Sequence, residues 1–179
     1  MENRGQVIRV GLYGTNGHQL PLSLSGYARV VAVADYPQER LDVVEADRAM
    51  RSYDSLEALL ANPEVDLVSL CAARRIEQAD QAIQCLRAGK HVLAEKPCAF
   101  TEAKLDEILA EAERSRLQFR EMAGASSLAP PVQAIRRLVD EGALGTIVHV
   151  QAHKSYPWHD RRPQETAVDG GLVDRKSVV

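Results

Sequence analysis

The 179-residue chain is 45% apolar and 26% charged, with a formal net charge of −3. A domain takes roughly 100–200 residues, so the length holds one domain and part of a second, with enough apolar residues for a packed core. The weakly acidic balance and 4% aromatic content exclude the basic patches and stacking platforms of a nucleic-acid binder. Cys71, Cys85 and Cys98 are too few and too widely spaced for a disulfide framework or a zinc site, which indicates a reducing compartment. The opening Met1–Gln6 is polar, and no run nears the ~18 apolar residues of a membrane span. The expectation is a soluble, cytoplasmic protein with neither membrane nor nucleic acid as partner.

Val7–Tyr13 reads as a buried strand, followed by a glycine-rich turn and a short helix from about His18. Arg29–Ala34 is a second strand with Asp35 at its end, and Gln38–Met50 a helix entered through Pro37. Ser52–Tyr53 is a short third strand; Ser55–Ala61 is a helix capped by Asp54 or Ser55 and stopped near Pro63. Leu67–Cys71 reads as a strand, Ile76–Ala88 as a helix ended by Gly89, and His91–Ala94 as a strand. Thr101 caps a helix to Arg114, and Leu117–Met122 makes a sixth strand. Apolar strands alternating with helices predict a parallel sheet covered on both faces, a doubly wound α/β fold.

After Met122 the rhythm changes. Gly124–Pro131 is loop-like, Val132–Glu141 helical and Ile147–Lys154 a strand, with no further element predicted in Ser155–Gly171. The expected organisation is a nucleotide-binding domain over 1–123 and, over 124–179, a linker and the incomplete beginning of a second, α+β domain.

The strongest chemical signal is Gly14-Thr15-Asn16-Gly17-His18, directly after the first strand. In a doubly wound sheet this turn faces a cofactor pyrophosphate, whose charge is met by backbone N–H groups. Gly14 permits the tight turn, and Asn16 stands where the dinucleotide fingerprint has its second glycine. The fingerprint also wants a carboxylate about 20 residues on, to accept hydrogen bonds from the adenosine ribose. Asp35 lies 21 positions after Gly14, at a strand end. It would repel a 2′-phosphate, so NAD is expected over NADP, with Arg40 the nearby residue that softens the preference. The plainer alternatives are an ordinary Gly/Asn turn and an aspartate that only caps the next turn.

Glu95-Lys96-Pro97 follows the strand His91–Ala94, at the edge where open α/β sheets hold ligands. Oxidising an alcohol releases a hydride and a proton, and a partly desolvated lysine there can relay the proton or bond the carbonyl. The alternative is a solvated loop lysine.

Four segments carry a family resemblance: Val10–His18, Val31–Asp35, Tyr53–Leu60 and above all Ala88–Pro97 (AGKHVLAEKP). They resemble the glucose–fructose oxidoreductase / inositol dehydrogenase / rhizopine-catabolism (Gfo/Idh/MocA) family, and Gly142–Val150 is similar to its passage into the second domain. The resemblance implies an NAD(P)-binding Rossmann domain followed by a mostly antiparallel sheet domain. It implies Lys96 as the catalytic lysine with Glu95 beside it, and Gly14, Thr15, Asn16, Gly17, His18, Asp35 and Ala72 as cofactor-binding residues. Sugars, inositols and related polyols are the implied substrates, in a homo-oligomer.

This sequence departs from the family in three places. After Leu67–Cys71 the family's proline and histidine are replaced by Ala73-Arg74-Arg75 and Gln78. The substrate domain would need another ~150 residues. The family's Asp-x-x-x-His catalytic motif should follow its glycine pair, but after Gly170-Gly171 neither alignment yields the pair; Arg175 and Val179, or Asp174 and Val178, fall there. The tail Asp174–Val179 resembles translated adapter sequence. The expectations are therefore a truncated, inactive nucleotide-binding fragment or, in a second class, a non-catalytic regulator of the same fold acting by protein contact.

Other signals are weaker. His149 and His153 would share one strand face, but a metal site needs a third ligand, and no metal is expected. Lys154–Arg162, with His159 and Asp160, reads as a substrate-facing loop or a solvated linker. Arg74 and Arg75 read as an exposed pair, and Cys98 as a small buried thiol.

Overall fold

The computed structural model describes residues 7–24, 26–41, 50–122, 129–151, 153 and 165–170. Six strands form one parallel sheet: β1 (Ile8–Tyr13), β2 (Ala28–Ala34), β3 (Arg51–Tyr53), β4 (Leu67–Leu70), β5 (His91–Ala94) and β6 (Phe119–Glu121). Their spatial order is β3-β2-β1-β4-β5-β6, the doubly wound order that reverses between β1 and β4. Helices α1 (Gln38–Leu41), α2 (Leu56–Leu60), α3 (Gln78–Arg87) and α4 (Glu102–Ser115) lie between the strands, and α3 opens through a 3₁₀ turn at Arg75–Glu77.

The middle of the sheet is buried on both faces because its central strands are apolar on both, whereas the edge strands β3 and β6 are polar and partly exposed. Val10, Leu12, Val30 and Val33 form one core with Leu20, Leu22 and Leu24 against it. The larger core joins β4 and β5 to Leu56, Leu59, Ile83, Leu86 and Ile108. Fully buried side chains such as Leu12, Leu59 and Leu70 each contribute about 1.5–3 kcal/mol. Gly11 lets α2 approach β1, since a Cβ there would meet Leu59 Cδ2 at 2.9 Å. At the amino edge, Arg9 and Asp66 tie β1 to the segment before β4, with Nε and Nη2 at 2.9 and 2.6 Å from the carboxylate oxygens.

The predicted cap alternatives resolve to Ser55, whose hydroxyl accepts from Ala58 N at 3.2 Å, and Thr101 caps α4 the same way on Lys104 N. The rest of the predicted helix beyond Leu41 lies outside the described residues up to 49.

Three expectations are corrected. No helix begins at His18: residues 14–24 form bends and turns. With Gly17 as cap, Pro21 would stand where the first intrahelical N–H donor is required, and it has none. Residues 147–151 and 153 are not strand, because no described strand offers them a ladder to join. A four-residue helix, α6 (Thr166–Asp169), forms where none was expected and packs against the 3₁₀ turn. The helix expected over Val132–Glu141 is present as α5 (Pro130–Asp140), with Pro at its first turn.

Candidate functional site

The turn after β1 is shaped by what lies beneath it. Gly14 has φ +67, and a Cβ there would stand 2.1 Å from Cys71 O, so only glycine lets the turn cross the end of β4. Gln19, which no fingerprint marks, braces the turn: its Nε2 donates to Tyr13 O, Gly14 O and Ser69 O at 3.2, 2.9 and 3.1 Å. Among the described residues, the backbone N–H groups of Thr15, Asn16 and Gly17 donate to no protein acceptor. The side chain of Asn16 is engaged: Nδ2 donates to Ala73 O at 3.0 Å and to Val168 O of α6 at 2.8 Å. Arg75 is buried under the turn, not exposed as expected, and its guanidinium donates to Asn16 O and to Gln78 Oε1. Arg74 is exposed and pairs with Glu77 at 3.1 Å.

Thr15, Asn16 and Asp35 line one cleft of about 650 Å³ with Tyr36, Tyr53 and Asp54, a volume ordinary for a ligand pocket. Asp35 holds a left-handed backbone, φ +49, which aspartate tolerates better than most residues. Burial, and then the charge of Asp35, push the Tyr13 hydroxyl above its ordinary value of 10.0 and keep it neutral. Unengaged N–H groups at one end and an open carboxylate at the other fit an adenine dinucleotide. The side chain of Arg40 lies outside the described residues.

Gly14, Gly17, His18, Ala72, Glu95 and Lys96 do not line that cleft. They belong to a second arrangement at the ends of β4 and β5. The Glu95 carboxylate is fully buried, accepting from His18 N, from His18 Nδ1 at 3.0 Å and from Lys96 N at 2.9 Å. Lys96 Nζ stands 3.8 Å from the same carboxylate, with its side chain 23% exposed. Gly17 makes room for this bridge, because a Cβ there would meet Glu95 Oε2 at 2.6 Å. The Lys96–Pro97 peptide is cis.

Gln78 is the residue that sequence reasoning registered only as a departure. It is wholly buried; Nε2 donates to Glu95 O and, at 3.0 Å, to Pro97 O, the carbonyls on either side of Lys96. Its Oε1 accepts from Ala72 N at 3.3 Å, so the Ala72 N–H is used inside the protein. A buried amide with four partners orders the turn more firmly than a lone contact would.

The three thiols are inert packing groups: burial, the leading cause for each, pushes Cys71, Cys85 and Cys98 up to about 12. Among the described residues no three ligand-type side chains cluster as a metal site, and no helix is long and apolar enough to cross a membrane. His159 and Asp160, and everything after Gly170, lie outside the described residues.

Comparison with known proteins shows the family and the fold. The trans-1,2-dihydrobenzene-1,2-diol dehydrogenase of Xenopus laevis is 30% identical over 147 residues, covering 81% of this chain and 44% of that protein. The enzyme of the same name from Bos taurus is 32% identical over 149 residues, with 82% and 44% covered. The chain thus spans less than half the length of these relatives. A 3-ketoreductase from Actinomadura kijaniata, solved with NADP and TDP-benzene, superposes with a TM-score of 0.61 at 25% identity, over 76% of this chain and 44% of that one. Residues 7–122 match the family model GFO_IDH_MocA, and the chain belongs to that oxidoreductase family with its NAD-binding Rossmann fold.

Proposed function

We propose that the chain is the dinucleotide-binding part of a dehydrogenase that moves a hydride between NAD and a hydroxyl-bearing carbon of a sugar, inositol or related polyol. The observation that carries this reading is the shared cleft: Thr15 and Asn16 of the turn, with unengaged N–H groups, meet Asp35 across one cavity. When bound, the nicotinamide supplies the hydride acceptor. Within residues 14–18, the unengaged N–H groups of Thr15, Asn16 and Gly17 would hold the pyrophosphate, with Gly14 and His18 shaping the turn, and Asp35 would accept from the ribose hydroxyls. Lys96 would take the alcohol proton or bond the carbonyl, held in place by Glu95 and Gln78. The diol named in the relatives is a substrate of this class, with its adjacent hydroxyl-bearing carbons.

Residues 1–123 form the nucleotide unit in this reading, and 124–179 lead into a substrate domain that also serves homo-oligomer formation. NAD is preferred over NADP, although the similar 3-ketoreductase was solved with NADP, because a 2′-phosphate would face the Asp35 carboxylate. Fluorescence titration with NADH and NADPH tests this. Tighter NADH binding, with the gap narrowed by Asp35→Ser, is expected; equal affinities that the substitution leaves unchanged would sink the assignment.

A further inference from the structure

β2 and β3 pair in parallel with Ala34 opposite Tyr53, so the next residues, Asp35 and Asp54, leave adjacent strands at the same level. Neighbouring strands lie about 4.8 Å apart, and like charges directly opposite destabilise a sheet. Both residues are exposed, and both line the cleft. Neither carboxylate is engaged by a hydrogen bond or ion pair with another described residue, and among the described residues no Lys or Arg lines the cleft. Capping does not account for Asp54, since Ser55 caps α2. The start of α2 favours an acid before Ser55 only weakly, so folding gives little reason for a second acid beside the first, and such local conflicts mark functional positions.

We propose that Asp54 is a second specificity-determining carboxylate of the adenosine end, acting with Asp35 to select the ribose diol and reject a 2′-phosphate. The inference rests on the dinucleotide reading above. A ribose with two free hydroxyls offers donors to two carboxylates, whereas a 2′-phosphate carries about −1.5 to −2 and would face two like charges.

The test uses two probes that carry the adenosine end without the nicotinamide: ADP and adenosine 2′,5′-bisphosphate, titrated calorimetrically into the 179-residue chain. The wild type should prefer ADP. Asp54→Asn should narrow the ratio by roughly fivefold to tenfold, the effect of one like-charge contact in a water-exposed site. Asp35→Asn should narrow it too, and the double variant most. Raising the salt should shrink the wild-type ratio, since exposed charges are screened. Asp54→Ser, checked by circular dichroism, serves if the Asn variant does not fold. A wild-type ratio in Asp54→Asn or Asp54→Ser, beside a narrowed one in Asp35→Asn, overturns the role of Asp54 and leaves the dinucleotide reading standing. Absence of ADP binding to the wild type removes the dinucleotide reading itself.

Discussion

Along the carboxyl edge of the sheet, the β1–β3 half and the β4–β5 half handle charge in opposite ways. Over β1–β3, Asp35 and Asp54 stand exposed beside an open cleft, without protein partners among the described residues. Over β4 and β5, Glu95 is fully buried, with His18, the Lys96 backbone and the Lys96 ammonium around it. A carboxylate taken out of water must have its hydrogen bonds replaced, so the second half is wired internally before any ligand arrives. One left in water can exchange its hydration for a ligand, so the first half is free to recognise. Asp35 at the end of β2 and Glu95 at the end of β5 thus stand three strand spacings apart, about 14 Å, with the turn from Gly14 to His18 lying between them.

The sharpest way to break this comparison is Lys96→Ala in a two-domain enzyme carrying this Rossmann unit. Turnover with NAD and a polyol should fall by about 10²–10⁴, the range of general acid–base residues, while NAD affinity changes far less. Near-normal turnover would make the wired half mere architecture.

Gln78→Leu comes next. It strands Glu95 O, Pro97 O and the Ala72 N–H in a dry interior, and urea unfolding should show a loss of about 2–4 kcal/mol. Asp35→Asn, on the open half, should stay within about 0.5 kcal/mol. Comparable losses for both would erase the distinction between the halves. Gly17→Ala probes their junction: its Cβ would press on the Glu95 carboxylate at 2.6 Å, from a backbone φ of +121. A loss of about 1–3 kcal/mol is expected, measured the same way.

A smaller loss is expected at the opposite, amino edge. Hydrogen bonds from Arg9 hold the Asp66 carboxyl below its ordinary value of 3.8, against the opposing effect of burial. The folded pKa is the lower one, so this stabilisation is complete above the ordinary value and fades as pH falls through the depressed one. Asp66→Asn should therefore cost about 0.5–1 kcal/mol at pH 7, in urea unfolding. The difference from wild type should close at the acid end of the pH series; a gap that persists there would mean that packing, not charge, holds the pair.

Strands and helices up to Glu121 were legible because each is short, uniformly patterned and bounded by Gly, Pro or a hydroxyl cap. His91–Ala94 matches to the residue, and Ser55 and Thr101 sit where capping chemistry places them. The family was legible in one contiguous stretch, Ala88–Pro97. Where the reading failed, apolar periodicity missed either a local veto, Pro21 without the N–H that a helix from His18 needs, or a partner distant in the chain. The helix expected at His18 yields to a turn held by Gln19 against Ser69, 50 residues away. The strand expected at Ile147 has no described neighbour, and periodicity cannot supply one.

Taken by itself, the sequence determined the doubly wound order of elements, the glycine at the phosphate turn and the acid closing the second strand. These follow from local patterning, backbone sterics and spacing. Only the tertiary structure decided that the Glu95 carboxylate is buried as a bridge between His18 and Lys96, that Gln78 holds the Lys96 turn, and that Asp54 stands beside Asp35. Each depends on which strand ends come together and in what register, and hydrogen bonds across the sheet, not residue identity, settle that.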